Sequence, residues 1–216
     1  MINDYSNKLD LYNIITAYGT VMPTKLRMTD TNNFINWTEE NFEYVKYNPR
    51  KDINRYGLSI TSIDGGVTGV PDLDSLPEYN KETGKDLHET EFNIPTPVYE
   101  YPSLKKILDP IKSDICRSHV LRLDPGGYFP PHRDYRRDVF NTFRLLIPLK
   151  NCNPPNSNFV VDGQIINWEM GSMYFVDTAK MHYVFNGSFS PNYMIVINAI
   201  LNTNTVDYVT SNLAYM

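Results

Sequence analysis

The pattern of apolar and polar positions changes character along the chain. Residues 1 to about 50 are mixed, and Phe34, Trp37, Phe42 and Val45 recur at roughly helical spacing between charges. That stretch, Asn32 to Tyr47, reads equally as one short helix or a strand pair. Tyr56 to Ile63 alternates as a strand does. Asp64 to Thr96 carries Gly65-Gly66, Pro71, Pro77, Gly84 and Pro95 with little periodicity, and reads as one long loop. Tyr101 to Ile115 resembles an amphipathic helix broken at Pro110. From residue 116 onward, short apolar runs alternate with turn signals. Ser118–Leu123, Thr142–Leu149, Phe159–Val161, Ile165–Trp168, Ser172–Val176, His182–Phe185 and Tyr193–Leu201 are the expected strands. Asp162-Gly163 is a hairpin signal. Seven or eight short strands at even spacing imply an antiparallel sandwich or barrel.

Composition narrows the class. Hydrophobic residues make up 41% and charged residues 21%, so the chain has the means to bury a core and is not disordered. Its 16 tyrosines suit strands and pocket walls. A net charge of −5 argues against a broad nucleic-acid-binding surface. Cys116 and Cys152 make no disulfide framework, which suits a reducing compartment. No charged segment followed by an apolar core opens the chain, and the longest apolar run, Tyr193 to Leu201, is too short to span a bilayer. A cytoplasmic protein without membrane or nucleic-acid partners is expected.

The candidate chemistry centres on Pro130-Pro131-His132-Arg133-Asp134. Residues two apart on an extended strand point to one face, so His132 and Asp134 can converge on a cation. His182 opens a later strand of the same β-rich segment. Two imidazoles and a carboxylate on one face leave other positions open, as in non-haem iron oxygenases, whereas a structural zinc site is closed and richer in cysteine. A lone His-x-Asp is common by chance, and the strand context with its distant histidine is what lifts this one. His88 reads as a solvated loop residue or a substrate contact, and His119 as a core or surface histidine. Arg133, Arg136 and Arg137 read as a solvated turn or as capture of an anionic substrate.

Leu121-Arg122-Leu123-Asp124-Pro125-Gly126-Gly127, Pro130-Pro131-His132-Arg133-Asp134, Thr142-Phe143-Arg144-Leu145-Leu146-Ile147-Pro148-Leu149 and Gly171-Ser172-Met173-Tyr174-Phe175-Val176-Asp177-Thr178 occur in order. His182, Val184 and Asn186 follow. Together these motifs resemble the aspartyl/asparaginyl β-hydroxylase-like family of Fe(II)- and 2-oxoglutarate-dependent dioxygenases, over about residues 116 to 200. The resemblance implies a mainly β, double-stranded β-helix (jelly-roll, cupin-like) fold. The barrel core would be residues 116–216. Residues 1–115 would form an N-terminal α/β elaboration with a few flanking helices and the long loop 64–96.

The resemblance assigns iron to His132, Asp134 and His182, and a carboxylate of co-substrate or substrate to Arg144. A lone arginine among Phe143, Leu145, Leu146 and Ile147 also needs a partner on physical grounds. The family's further arginine, about ten residues after the distal histidine, is replaced by Asn192. Its role would pass to Arg144, assisted by Arg122 or by a hydroxyl such as Tyr174 or Tyr193. Asp177 and Asn186 would orient the site from behind, and the long loop would act as a lid. The function implied is hydroxylation of an amino acid or peptide side chain, with Fe(II) and 2-oxoglutarate as cofactors and a small-molecule or peptide substrate. The rivals are a non-enzymatic cupin-like binding module and a metal-dependent cupin enzyme that does not use 2-oxoglutarate.

Overall fold

The computed structural model describes residues 4–67, 69, 71–134 and 141–214. Helix α1 (Asp4–Thr16) leads into β1 (Val21–Arg27), and α2 (Thr31–Asn41) into β2 (Val45–Lys46), β3 (Arg55–Ser59) and β4 (Thr61–Ser62). The open choice for Asn32–Tyr47 is thus settled as a helix, with Phe34 and Ile35 buried and the strand β2 after it. The stretch read as one long loop contains α3 (Leu76–Thr83), a 3-10 turn at Glu89–Glu91 and the short β5 (Ile94–Pro95). Pro77 sits in the first turn of α3 and Gly84 closes it in the left-handed conformation, so the residues that suggested a loop are helix ends. Helix α4 (Pro102–Leu108) stops before Pro110 and continues as the 3-10 turn Asp109–Asp114.

The strands that follow are β6 (Ile115–Leu123), β7 (Tyr128–His132), β8 (Thr142–Lys150), β9 (Ser157–Val161), β10 (Gln164–Ile165), β11 (Ser172–Val176), β12 (His182–Asn186) and β13 (Asn192–Ile200), before α5 (Thr203–Ser211). Asp162 and Gly163 both adopt positive φ in the β9–β10 turn, as a two-residue hairpin requires. Among the described residues, α1, β1, β7 and α5 are elements that periodicity did not mark.

Two antiparallel sheets face each other. The larger has the order β1-β11-β8-β13-β6-β3-β2, the smaller β10-β9-β12-β7. N-terminal strands are therefore hydrogen-bonded into the larger sheet, at both of its edges. Alternation divides the larger sheet's side chains. Leu121, Leu146, Tyr174 and Met194 pack inward against Phe159 and Val184 of the smaller sheet. Val120, Leu145, Phe175 and Ile195 pack outward with Phe34, Leu104 and Val206 of the helices. Both faces of the larger sheet are covered, which explains its near-continuous apolar runs. The smaller sheet has one wet face, and β12 alternates accordingly, with Tyr183 and Phe185 exposed. Strands in two facing antiparallel sheets make this a jelly roll of cupin type. Among the described residues, no helix is long and apolar enough to cross a membrane.

Candidate metal centre

Turn chemistry aims the first candidate ligand. Gly127 follows β6, and a Cβ there would lie 2.1 Å from the Asn54 carbonyl oxygen, so only glycine lets the chain turn into β7. β7 then pairs antiparallel with β12 so that His132 stands directly opposite His182. Directly opposed residues share a sheet face, and the two imidazole centroids lie 4.2 Å apart. Phe159 stacks on His182 at 6.5 Å, and Phe129 lies alongside His132 at 6.3 Å. Asp134 lies just past the end of β7, and its N–H is bound by the Thr178 carbonyl at 2.9 Å. The structure thus brings His132, Asp134 and His182 together, two of them by cross-strand register.

The donor atoms of the three lie within 4.8 Å of one another. Asp134 Oδ1 is 3.5 Å from His132 Nε2 and 4.0 Å from His182 Nε2. A backbone carbonyl can only accept, so His132 Nδ1–H donates to Pro130 O (2.7 Å) and His182 Nδ1–H to Lys180 O (3.0 Å). In the neutral rings this leaves both Nε2 lone pairs directed at the carboxylate, the tautomer that metal-binding histidines use. Burial lowers the pKa of His182, which favours the neutral ligand form. The hydrogen bond to Asp134 raises that of His132. Burial alone would raise Asp134, but the Arg144 guanidinium and the two imidazoles outweigh it and hold the carboxyl well below the usual range. The donor set of two nitrogens and one carboxylate oxygen fits a first-row divalent cation.

Arg144 lies on the inward face of β8, and its Nε donates to Asp134 Oδ2 at 3.1 Å. Its Nη2 lies 3.4 Å from Glu89 Oε1. Burial works against the guanidinium's charge, and Glu89 and Asp134 outweigh it to keep the proton on. The partner that a lone arginine in an apolar strand requires is therefore a pair of carboxylates. Glu89 also pairs with Arg117 at 3.0 Å. Arg117 has φ +36° at a bulge in β6, where one residue of β13 (Ile197) faces two of β6 (Arg117 and Ser118). No sequence signal marked Glu89, which lies in an unperiodic stretch beside His88. His88 itself is exposed and near Asp86, as a solvated loop residue would be.

The triad stands at the mouth of a pocket of about 110 Å3 walled by Leu121, Phe129, Leu146, Phe159, Val184 and Met194. His119 and Asn198 are buried polar residues in its lining. His119 Nδ1 and Asn198 Oδ1 have no hydrogen-bond partner among the described residues. Burial, and then the charge of Arg117, pulls the His119 pKa down to about 3, so the ring is neutral. Reading His119 as an ordinary core or surface histidine missed its place in the pocket lining.

Four expected contributors lie elsewhere. Arg122 has the opposite parity to Leu121 and faces the helix layer, where it pairs with Asp124 at 2.6 Å and Glu39 at 3.7 Å. Asn192 points inward but at the far end of β13, and its amide donates to Asn151 O and Ser157 Oγ. Tyr174 borders a different cavity, and its hydroxyl accepts from the Glu169 N–H at 2.8 Å. Tyr193 is outward-facing and bonds Glu39. None of the four lines the triad's pocket. Asp177 accepts from Tyr12 of α1, and Asn186 ties β12 to the Leu123 carbonyl, so both brace the scaffold rather than the ligands. Arg133 is exposed. Arg136 and Arg137 lie outside the described residues.

Comparison with known proteins agrees with this architecture. A crystal structure titled as an oxidoreductase of the 2OG-Fe(II) oxygenase family, from Burkholderia pseudomallei, is 15% identical with a TM-score of 0.50, covering 90% of each chain. A predicted oxalate decarboxylase from Thermotoga maritima is 14% identical, with a TM-score of 0.32 over 44% of this chain and 74% of its own. An RmlC-like cupin from Shewanella frigidimarina is 13% identical, with a TM-score of 0.31 over 43% of this chain and 71% of its own. None of the curated proteins matches the sequence. The family described as Aspartyl/Asparaginyl beta-hydroxylase matches residues 86–200, more than half of the chain, and the protein belongs to that family.

Proposed function

We propose that the protein is an Fe(II)-dependent oxygenase that uses 2-oxoglutarate to hydroxylate an amino acid or peptide side chain. The observation that carries this reading is the convergence of two Nε2 atoms and one carboxylate oxygen in a largely apolar pocket, beside a partly buried arginine. Membership of a hydroxylase family supports it. Bound at the triad, a ferrous ion would supply dioxygen activation coupled to oxidative decarboxylation of the keto acid.

The chain's own residues do the rest. His132 and His182 present unprotonated nitrogens, and their carbonyl bonds fix the ring orientation. Arg144 holds Asp134 through Nε and offers Nη2 to a carboxylate of the keto acid, which takes the place of Glu89. Phe129, Phe159 and Leu146 keep water from the reacting carbon. The segment carrying Glu89 borders the pocket and would act as its lid. Two buried free thiols suit the reducing cytoplasm.

Anaerobic addition of Fe(II) and 2-oxoglutarate should produce a weak visible charge-transfer band, absent in Asp134→Ala, and turnover should release succinate. Metal binding with neither band nor succinate would sink the co-substrate assignment. That outcome would favour a cupin-like binding module, which Arg144's existing pairing with two carboxylates also suits. Oxygen uptake without any keto acid would point to another type of metal-dependent cupin enzyme.

A further inference from the structure

On the other side of His132 lies a second cavity, of about 240 Å3, bordered by Arg55, Asn48, Ser75 and Asp74. Tyr47, Phe129 and His132 border both this cavity and the triad's pocket. Arg55 begins β3 opposite Leu123, an inward residue, and is only 5% exposed. Its guanidinium carbon lies 4.4 Å from the Phe129 ring centroid and 5.5 Å from that of Tyr47. Its side chain makes no hydrogen bond or ion pair among the described residues, and Nε is fully buried without a partner. Ring contacts recover only part of the hydration that a buried cation loses. Burial accordingly lowers the Arg55 pKa.

The surroundings define what is missing. Asp74 does not neutralise Arg55, because its carboxylate is held by Arg50 and by the Ser75 N–H. Arg117, also in the lining, is committed to Glu89 and to the Asp72 and Asp74 carbonyls. Asn48 Oδ1 is buried with no donor among the described residues, while its Nδ2 donates to Glu78. The cavity therefore holds an unpaired cation and an unpaired acceptor. A guanidinium's donors all lie in its plane, which suits a planar anion. The nearby Asp74 charge favours a monoanion over a phosphate dianion.

We propose that Arg55 and Asn48 form a receptor for a carboxylate that carries a hydroxyl or amino group on the adjacent carbon. Arg55 takes the carboxylate in its plane, and Asn48 Oδ1 accepts from the neighbouring donor. Next to His132, this receptor anchors the organic substrate at the triad. That use rests on the oxygenase reading, whereas the binding site does not. Arg55 lies outside the segment that matches the family, so the N-terminal region supplies this specificity element.

The test uses the full chain without metal, so it is independent of the triad. The 15N-labelled protein is titrated with sodium acetate and with sodium glycolate, against sodium chloride at equal ionic strength. The arginine Nε–Hε signals are followed, with Arg55 assigned from the Arg55→Lys spectrum. The Arg55 signal should move saturably with acetate but not with chloride. Glycolate should saturate it at several-fold lower concentration. A signal that ignores both acids, or that answers equally to chloride, overturns the site. Glycolate binding no tighter than acetate removes Asn48 from it. Acetate shifts at the Asn48 and Ser75 amides should vanish in Arg55→Met and persist in Arg144→Ala, and the reverse pattern refutes the assignment. Saturating 2-oxoglutarate should leave the glycolate response intact, and competition would give the site to the keto acid instead.

Discussion

Two inward-facing arginines border the two cavities that share His132, in opposite states. Arg144 is held by Asp134 and Glu89. Arg55 has two aromatic rings and, among the described residues, no anion bonded to it. Arg144 shows how a cation is compensated inside an apolar barrel, because its carboxylates come from the turn after β7 and from the segment before β5. Arg55 shows what is left when that compensation is not built in. The first arrangement is structural and must be exchanged to be used. The second is open for an incoming anion.

The largest expected effect tests the filled side. Glu89→Ala leaves Arg117 without its carboxylate and Arg144 with one of two, and should cost about 3–5 kcal/mol of stability in urea unfolding. A loss below about 1 kcal/mol would mean that solvent already screens the cluster. Next, Asn192→Arg restores the residue type that the family usually places there, but in a buried site packed against Ser157. It should destabilise by about 1–3 kcal/mol through overpacking, with no gain in 2-oxoglutarate affinity by calorimetry. A tighter complex would place position 192 at the pocket after all.

His119 packs against Tyr47, whose ring borders both cavities. Its folded pKa, pulled down to about 3, lies below the unfolded value of about 6.5. The unfolded chain then binds the extra proton first. The contribution of the neutral ring is complete above about pH 6.5 and is lost as pH falls through the window to about 3, at no more than about 1.4 kcal/mol per pH unit. Asp72, raised to about 6 by burial, acts with the opposite sign, so it partly masks the trend in the wild type. The difference between wild type and His119→Gln, measured by urea unfolding at several pH values, isolates the histidine. A difference that stays flat with pH would refute its burial as a neutral ring. The smallest effect belongs to the open side. Arg55→Met removes an unpaired buried charge along with its ring contacts, and should change the unfolding free energy by less than about 1 kcal/mol. A loss as large as that of Glu89→Ala would show that Arg55 already has a strong partner.

The legible parts of the molecule are those where one local pattern carries the information. The strand-rich segment was readable because turns at Gly127 and Asp162-Gly163 punctuate it. His132 and Asp134 were readable because they are close in sequence, and His182 because it opens a strand of the same segment. Arg144 stood out as one charge among apolar neighbours. Arg122 looked similar and was misplaced, since a strand buried on both faces gives no parity signal. Only the packed sheet shows that Leu121 faces inward and Arg122 outward. The helix α3 was hidden by its own Pro77 and Gly84, which also punctuate loops.

By itself, then, the sequence determined the strand spacing, the kinds of candidate ligand and the motif order, because these depend on neighbours along the chain. The tertiary structure alone decided which residues meet. The facing of His132 and His182 is a matter of β7–β12 register. The pairing of Glu89 with Arg144 spans 55 positions. Arg55, from the N-terminal segment, reaches the far side of His132 through the pairing of β3 with β6. Such contacts are set by closing the two sheets on one core, and no local propensity encodes them.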